Sequence, residues 1–215
     1  MGKGHVQTYD WVVKLLNDCD FDGAACRLGF DRTADGDLAI DFLGRRYRIT
    51  KEGIEPPVPK DVRNEVFEFN VRSVLGYYAL SDGNCEPLLD FYPLNYFSHG
   101  VFSGGAGKSG AEWSTEPLRK AIGGSYKKFC AAAEKLGLAF EETRGEGKYI
   151  WSYLLLPKLP VKIAYYEGDD DFPSDVKILY DKTAPLFFKF EPLAVLNACF
   201  IHALAGAAVN DENHD

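Results

Sequence analysis

Hydrophobic and polar positions alternate most clearly in the last third of the chain. Residues 149–181, YIWSYLLLPKLPVKIAYYEGDDDFPSDVKILYD, hold two Pro-limited apolar runs, an acidic turn and a third short apolar run. This pattern predicts three antiparallel strands at the centre of a single domain. Upstream, Leu38, Ile40 and Phe42 alternate with Ala39 and Asp41, and Tyr47 and Ile49 alternate with Arg46 and Arg48. With Gly44 between the two runs, these predict a β-hairpin. Residues 26–30 read as a further short strand, and Phe140 as the opening of another.

Helical spacing appears elsewhere. Trp11, Val12, Leu15, Leu16 and Cys19 share one face over residues 9–19. Val62, Val66, Phe69, Val74, Leu75 and Tyr78 form the apolar face of a helix over 60–80, entered from the stiff Glu55-Pro56-Pro57-Val58-Pro59 segment. A third helix runs from Ser114 or Thr115 to Leu136, interrupted at Gly123-Gly124 and ended by Gly137. The last helix covers 191–208, with Leu193, Leu196, Cys199, Phe200 and Ala203 on its buried face. Residues 88–96 form a short aromatic strand or loop, 98–110 a flexible Gly-rich loop, and 209–215 a polar tail. The expected fold is α+β: one domain, an antiparallel sheet with helices packed on it.

Composition narrows the function classes. The 215 residues carry a net charge of −8 without a long basic block, which disfavours nucleic acid as a partner. No apolar run approaches the ~18 residues of a bilayer span, and no leader pattern opens the chain. No membrane partner and a cytoplasmic location are therefore expected. The five cysteines, at 19, 26, 85, 130 and 199, form no CxxC. They predict reduced thiols and no iron–sulfur ligand set. Aromatic residues make up 14% of the chain, enough to fill sheet faces or to wall a cavity for a flat ligand.

Two stretches carry candidate chemistry. Tyr92, Tyr96 and Phe97 precede His99 and the loop Gly104-Gly105-Ala106-Gly107-Lys108-Ser109. The spacing is not that of a phosphate loop, because Phe102 stands where its first glycine belongs. A glycine-hinged flap over an aromatic pocket fits better. Tyr92, Tyr96, Phe97, His99 and Lys108 are then the ligand-binding residues. The acidic turn places Glu167, Asp169, Asp170, Asp171 and Asp175 within nine positions. Asp169 and Asp171 could ligate a divalent metal. The alternative is a solvated turn in which Asp169 or Asp171 caps backbone N–H groups and Phe172-Pro173 tucks inward.

The run Tyr165-Tyr166-Glu167-Gly168-Asp169-Asp170-Asp171-Phe172-Pro173, then Lys177-Ile178-Leu179-Tyr180-Asp181 with Ala184, resembles the C-terminal signature of a known family. It is an uncharacterised domain family of anaerobic bacteria and archaea, whose members are often labelled iron–sulfur cluster proteins. Leu156-Pro157-Lys158-Leu159-Pro160 matches the family's Leu-Pro entry, and the resemblance covers about residues 149–205. The cysteine-rich cluster domain of longer members is absent here, as are the Trp, Arg and Gly-Gly of the family's middle segment. The resemblance implies an accessory protein associated with one-carbon and corrinoid metabolism, and no particular reaction.

The expected function is thus a non-catalytic small-ligand-binding or accessory protein, with a corrinoid or other tetrapyrrole as the boldest cofactor. A divalent-metal-dependent enzyme using the 167–175 turn and a protein-interaction module are the alternatives. The sequence does not specify an oligomeric state.

Overall fold

A computed structural model describes residues 4–58, 64–98 and 114–209. The protein is α+β, with helices and two antiparallel sheets. The chain divides into two compact units, neither contiguous in sequence. The first comprises Met1–Glu86, Leu156–Lys158 and Thr183–Cys199; the second comprises Pro87–Leu155, Leu159–Lys182 and Phe200–Asp215.

The first unit begins with helices α1 (Gly4–Leu16) and α2 (Phe21–Leu28). Helix α2 stands where residues 26–30 read as a strand. Asp20 caps it by accepting from the Gly23 N–H at 3.0 Å, and Gly29 ends it in the left-handed conformation at φ 78°. Phe21, Ala24 and Leu28 are buried at helical spacing, a longer-range signal than the local alternation suggested. Four strands follow in the order β1 (Asp31–Arg32), β2 (Leu38–Phe42), β3 (Arg45–Ile49), β4 (Ile54–Glu55). The predicted hairpin pairs Ile40 with Tyr47 and Phe42 with Arg45. Its two-residue turn takes positive φ at Leu43 (50°) and Gly44 (78°), the pair of values a tight right-twisted hairpin demands.

Helix α3 (Glu65–Ala79) is capped by Asn64, which accepts from the Phe67 N–H. Val74, Leu75 and Tyr78 are buried as expected, while Val66 is exposed in the first turn. The Tyr78 side chain is the hub of this unit. Its hydroxyl donates to the Leu28 carbonyl at 2.9 Å and accepts from the Lys158 N–H at 3.1 Å. Its ring lies among Phe30, Phe187 and Phe188, and burial pushes its phenol well above the usual range. Arg72, fully buried, donates to the Pro56 carbonyl at 3.0 Å and to Glu68 at 2.7 Å. Val12 of α1 packs so closely on Gly76 that a Cβ there would meet its Cγ1 at 2.2 Å. This approach buries Val12 and Leu16 and leaves Trp11 and Leu15 outward, against the expected face. Short helix α6 (Ala184–Phe187) leads into α7 (Phe190–Val209).

The second unit holds a five-stranded sheet in the order β5-β9-β8-β7-β6. Its strands are β5 (Phe91–Pro93), β6 (Ala139–Thr143), β7 (Lys148–Leu156), β8 (Leu159–Tyr166) and β9 (Asp175–Asp181). The three strands read from residues 149–181 are β7, β8 and β9, and they form its middle. Gly123 and Gly124, both at positive φ, separate α4 (Glu116–Ile122) from α5 (Tyr126–Lys135) at the predicted interruption. Tyr165, fully buried, donates to the Gly124 carbonyl at 2.8 Å, which ties the helix break to the sheet. Asp181, also fully buried, accepts from the Leu88 and Leu89 N–H groups at 3.2 and 2.5 Å.

The first part of α7 belongs to the first unit and the remainder to the second. By length and composition α7 is apolar enough to cross a membrane, and over half of its apolar window is buried within the protein. Glu191, Asn197 and His202 break the apolar run in sequence without stopping the helix.

Candidate functional site

The structure brings three of the predicted ligand-binding residues together. Tyr92 on β5 stacks on Tyr96 at 4.1 Å, and Tyr96 meets Phe97 edge-on at 5.3 Å in the short 3-10 helix Leu94–Ser98. Phe97 is buried, and Tyr96 is exposed. The Tyr92 hydroxyl donates to Asp90 at 3.0 Å, which raises its pKa. The Lys182 ammonium lies 5.7 Å from the Tyr92 ring and 3.5 Å from Asp90, and its own pKa is raised by Tyr92 and Asp90. The aromatic faces are thus engaged with each other and with a cation. His99, Lys108 and the 98–110 loop beyond Ser98 lie outside the described residues, as does the tail from residue 210.

The acidic turn between β8 and β9 folds on itself. Asp169 Oδ1 accepts from the Asp171 N–H at 2.9 Å and from the Phe172 N–H at 2.7 Å, and the Asp169 N–H donates to the Phe172 carbonyl. This is the backbone capping considered for the turn. Phe172 does not tuck inward: it is 71% exposed. The turn tightens at Gly168, where a Cβ would meet the Ser174 nitrogen at 2.7 Å. Backbone crowding on the inside directs the following ring outward. Glu167 accepts from the Tyr149 hydroxyl at 3.2 Å. Among the described residues, no three or more His, Cys, Asp or Glu side chains are grouped so as to hold a metal ion. All five cysteines are free, and burial pushes the Cys199 thiol up to about 12.

A region of the first unit has the makings of a site. A cleft of about 340 Å³ lies between α1, α3 and the start of α7. Each helix contributes one stripe. Asn70, Ser73, Val74 and Tyr77 follow helical spacing on α3, His5 and Thr8 are one turn apart on α1, and Glu191, Pro192 and Val195 come from α7. The volume is at the lower end of the range for small-molecule sites, about 300–1,000 Å³. The walls are mostly apolar, with a few polar groups converging, as in such sites generally.

Among the described residues, two of those polar groups find no partner. Ser73 is 97% buried, being 3% exposed, and its Oγ makes no hydrogen bond. His5 Nε2 is buried and likewise without a partner, while its ring packs against Phe69 at 5.5 Å. A buried polar atom left unpaired costs roughly 1–3 kcal/mol, so native proteins seldom keep two beside one cavity without use. Thr8 is occupied only in part: its Oγ1 donates to the Gly4 carbonyl at 3.0 Å and can still accept. Burial raises the Tyr77 phenol. An adjoining groove of about 370 Å³ shares Tyr77 and Pro192 with the cleft and is flanked by the outward Trp11, Leu15 and Leu186.

Sequence reasoning missed this cleft. The available signal was Ser73, a small polar residue amid the Val71, Val74, Leu75 and Tyr78 run of α3. Its neighbours on α1 and α7 are 68 and 118 positions away, counting from Ser73 to His5 and to Glu191.

The sequence profile described as "Domain of unknown function (DUF3786)" matches residues 20–203. No curated protein and no solved structure matches the chain. His5 and Thr8 precede the matched segment, whereas the α3 and α7 walls of the cleft fall within it.

Proposed function

Because the chain belongs to the DUF3786 family, a domain of unknown function matched over residues 20–203, we propose its role from its own geometry: a small-ligand-binding accessory protein. Its ligand occupies the cleft between α1, α3 and α7. The observation that carries this reading is that two residues lining that cleft, Ser73 and His5, hold buried polar atoms, Oγ and Nε2, without a partner among the described residues. A ligand bearing a polar group would satisfy them, while its apolar body would pack on Val74, Tyr77, Pro192 and Val195. A cleft of about 340 Å³ suits a molecule of one or two rings. A corrinoid or other tetrapyrrole would need a larger surface than this cleft. The association with one-carbon and corrinoid metabolism belongs to the same proposal and rests on the sequence resemblance alone.

The test is direct. Protein isolated from its native host is denatured, and released small molecules are identified by mass spectrometry, with Val74→Trp isolated in parallel to fill the cleft. A molecule present with the native protein and absent from the folded variant supports the reading. No retained molecule, or equal retention by both, removes it.

A further inference from the structure

We propose, resting on that reading of the cleft, that its ligand is a small organic amine bound as the ammonium ion. Among the described residues, the cleft lining contains one carboxylate, Glu191, and neither lysine nor arginine. Among the described residues Glu191 has no ion-pair partner, although it stands at the exposed edge of the cleft where a counter-charge could reach it. Tyr77 lines the same cleft, and a cation is drawn to an aromatic ring face as well as to a carboxylate.

The hydrogen-bonding inventory agrees with the charge. An ammonium group presents three donors and no acceptor. The cleft offers acceptors: the Glu191 carboxylate, Ser73 Oγ, His5 Nε2 where that nitrogen is unprotonated, and the Asn70 amide oxygen. A carboxylate or phosphate ligand would meet Glu191 with no lysine or arginine among the described lining residues to offset it. Two features oppose the ammonium. The amino end of α7 carries a partial positive charge, and Lys189 lines the adjoining groove. The full charge of Glu191 in the first turn of α7 outweighs the partial charge of that helix end, and Lys189 belongs to the lining of the groove, not of the cleft.

Three probes of one shape separate the possibilities: benzylamine, benzyl alcohol and benzoate, titrated into the isotope-labelled full chain at neutral pH and followed by amide resonances. Benzylamine is expected to shift the amides of Ser73, Val74, Tyr77 and Val195 saturably. Its Kd should be about three- to ten-fold below that of benzyl alcohol, the range expected of an exposed ion pair with a ring contact. Benzoate should leave those amides unmoved. Glu191→Gln, its fold verified by the same spectra, should cut the advantage of benzylamine to about two-fold or less, the ring contact remaining, and retain binding of benzyl alcohol. If benzyl alcohol or benzoate binds as well as benzylamine, or if Glu191→Gln leaves the preference intact, the amine assignment is overturned while ligand binding in the cleft stands. If no probe moves those amides, both fall together.

Discussion

The acidic turn and the α1/α3/α7 cleft are both clusters of polar groups, and they treat those groups in opposite ways. In the turn, Asp169 gives one oxygen to two backbone N–H groups, and Glu167 accepts from Tyr149. The carboxylates that drew attention in the sequence therefore hold the chain's own geometry. In the cleft, Ser73 and His5 each keep an atom that no described residue engages. Density of charged residues marks a site less well than the presence of buried groups the fold has left over. A polar atom already committed to the backbone serves stability, and one left free serves something that arrives from outside.

That contrast can be broken by mutation, because engaged groups should cost stability when removed and free ones should not. The largest loss is expected at Arg72, whose guanidinium is fully buried against Glu68 and the Pro56 carbonyl. Arg72→Ala leaves Glu68 without that partner, and urea unfolding should register a loss of about 3–5 kcal/mol. Tyr78→Phe keeps the ring and strands the Leu28 carbonyl and the Lys158 N–H. It should cost about 1–3 kcal/mol in the same measurement. Asp169→Ala frees two backbone donors in an exposed turn and should cost about 1 kcal/mol, with little change in the amide shifts of the strands on either side. Ser73→Ala removes an unpaired hydroxyl from a helix and replaces it with the best helix former. It should leave stability unchanged or raise it by about 0.5–1 kcal/mol. A loss comparable to that of Tyr78→Phe would show that Ser73 is engaged after all and would erase the contrast.

How much of this was legible in the sequence depended on range. The hairpin at Leu38–Ile49 and the three strands β7 to β9 were readable because strand alternation and turn residues lie within a few positions of one another. The interruption at Gly123-Gly124 was readable for the same reason. Helix α2 was not, because the short stretch 26–30 reads locally as a strand, whereas the helix-favouring Ala24-Ala25 pair and the caps at Asp20 and Gly29 decide the matter. The outward turn of Trp11 and Leu15 was not readable either. It follows from the close approach of Val12 to Gly76, a contact between residues 64 positions apart. The cleft is the extreme case, since its three stripes come from both ends and the middle of the first unit's sequence. Of the predicted ligand-binding residues, Tyr92, Tyr96 and Phe97 did meet, because they are near neighbours in sequence.

The chain's repeated crossing between its two units has a practical corollary for anyone wishing to study half of it. Residues 1–86 expressed as a fragment would carry Tyr78 without the Lys158 amide it receives, and Gly29 without the Pro157 ring that lies against it. It would also lack the Phe187 and Phe188 rings and the Glu191 rim of the cleft. No single scissor cut along this polypeptide yields a self-sufficient piece, so deletion mapping would report only collapse, and activity must be dissected by point substitution in the intact molecule.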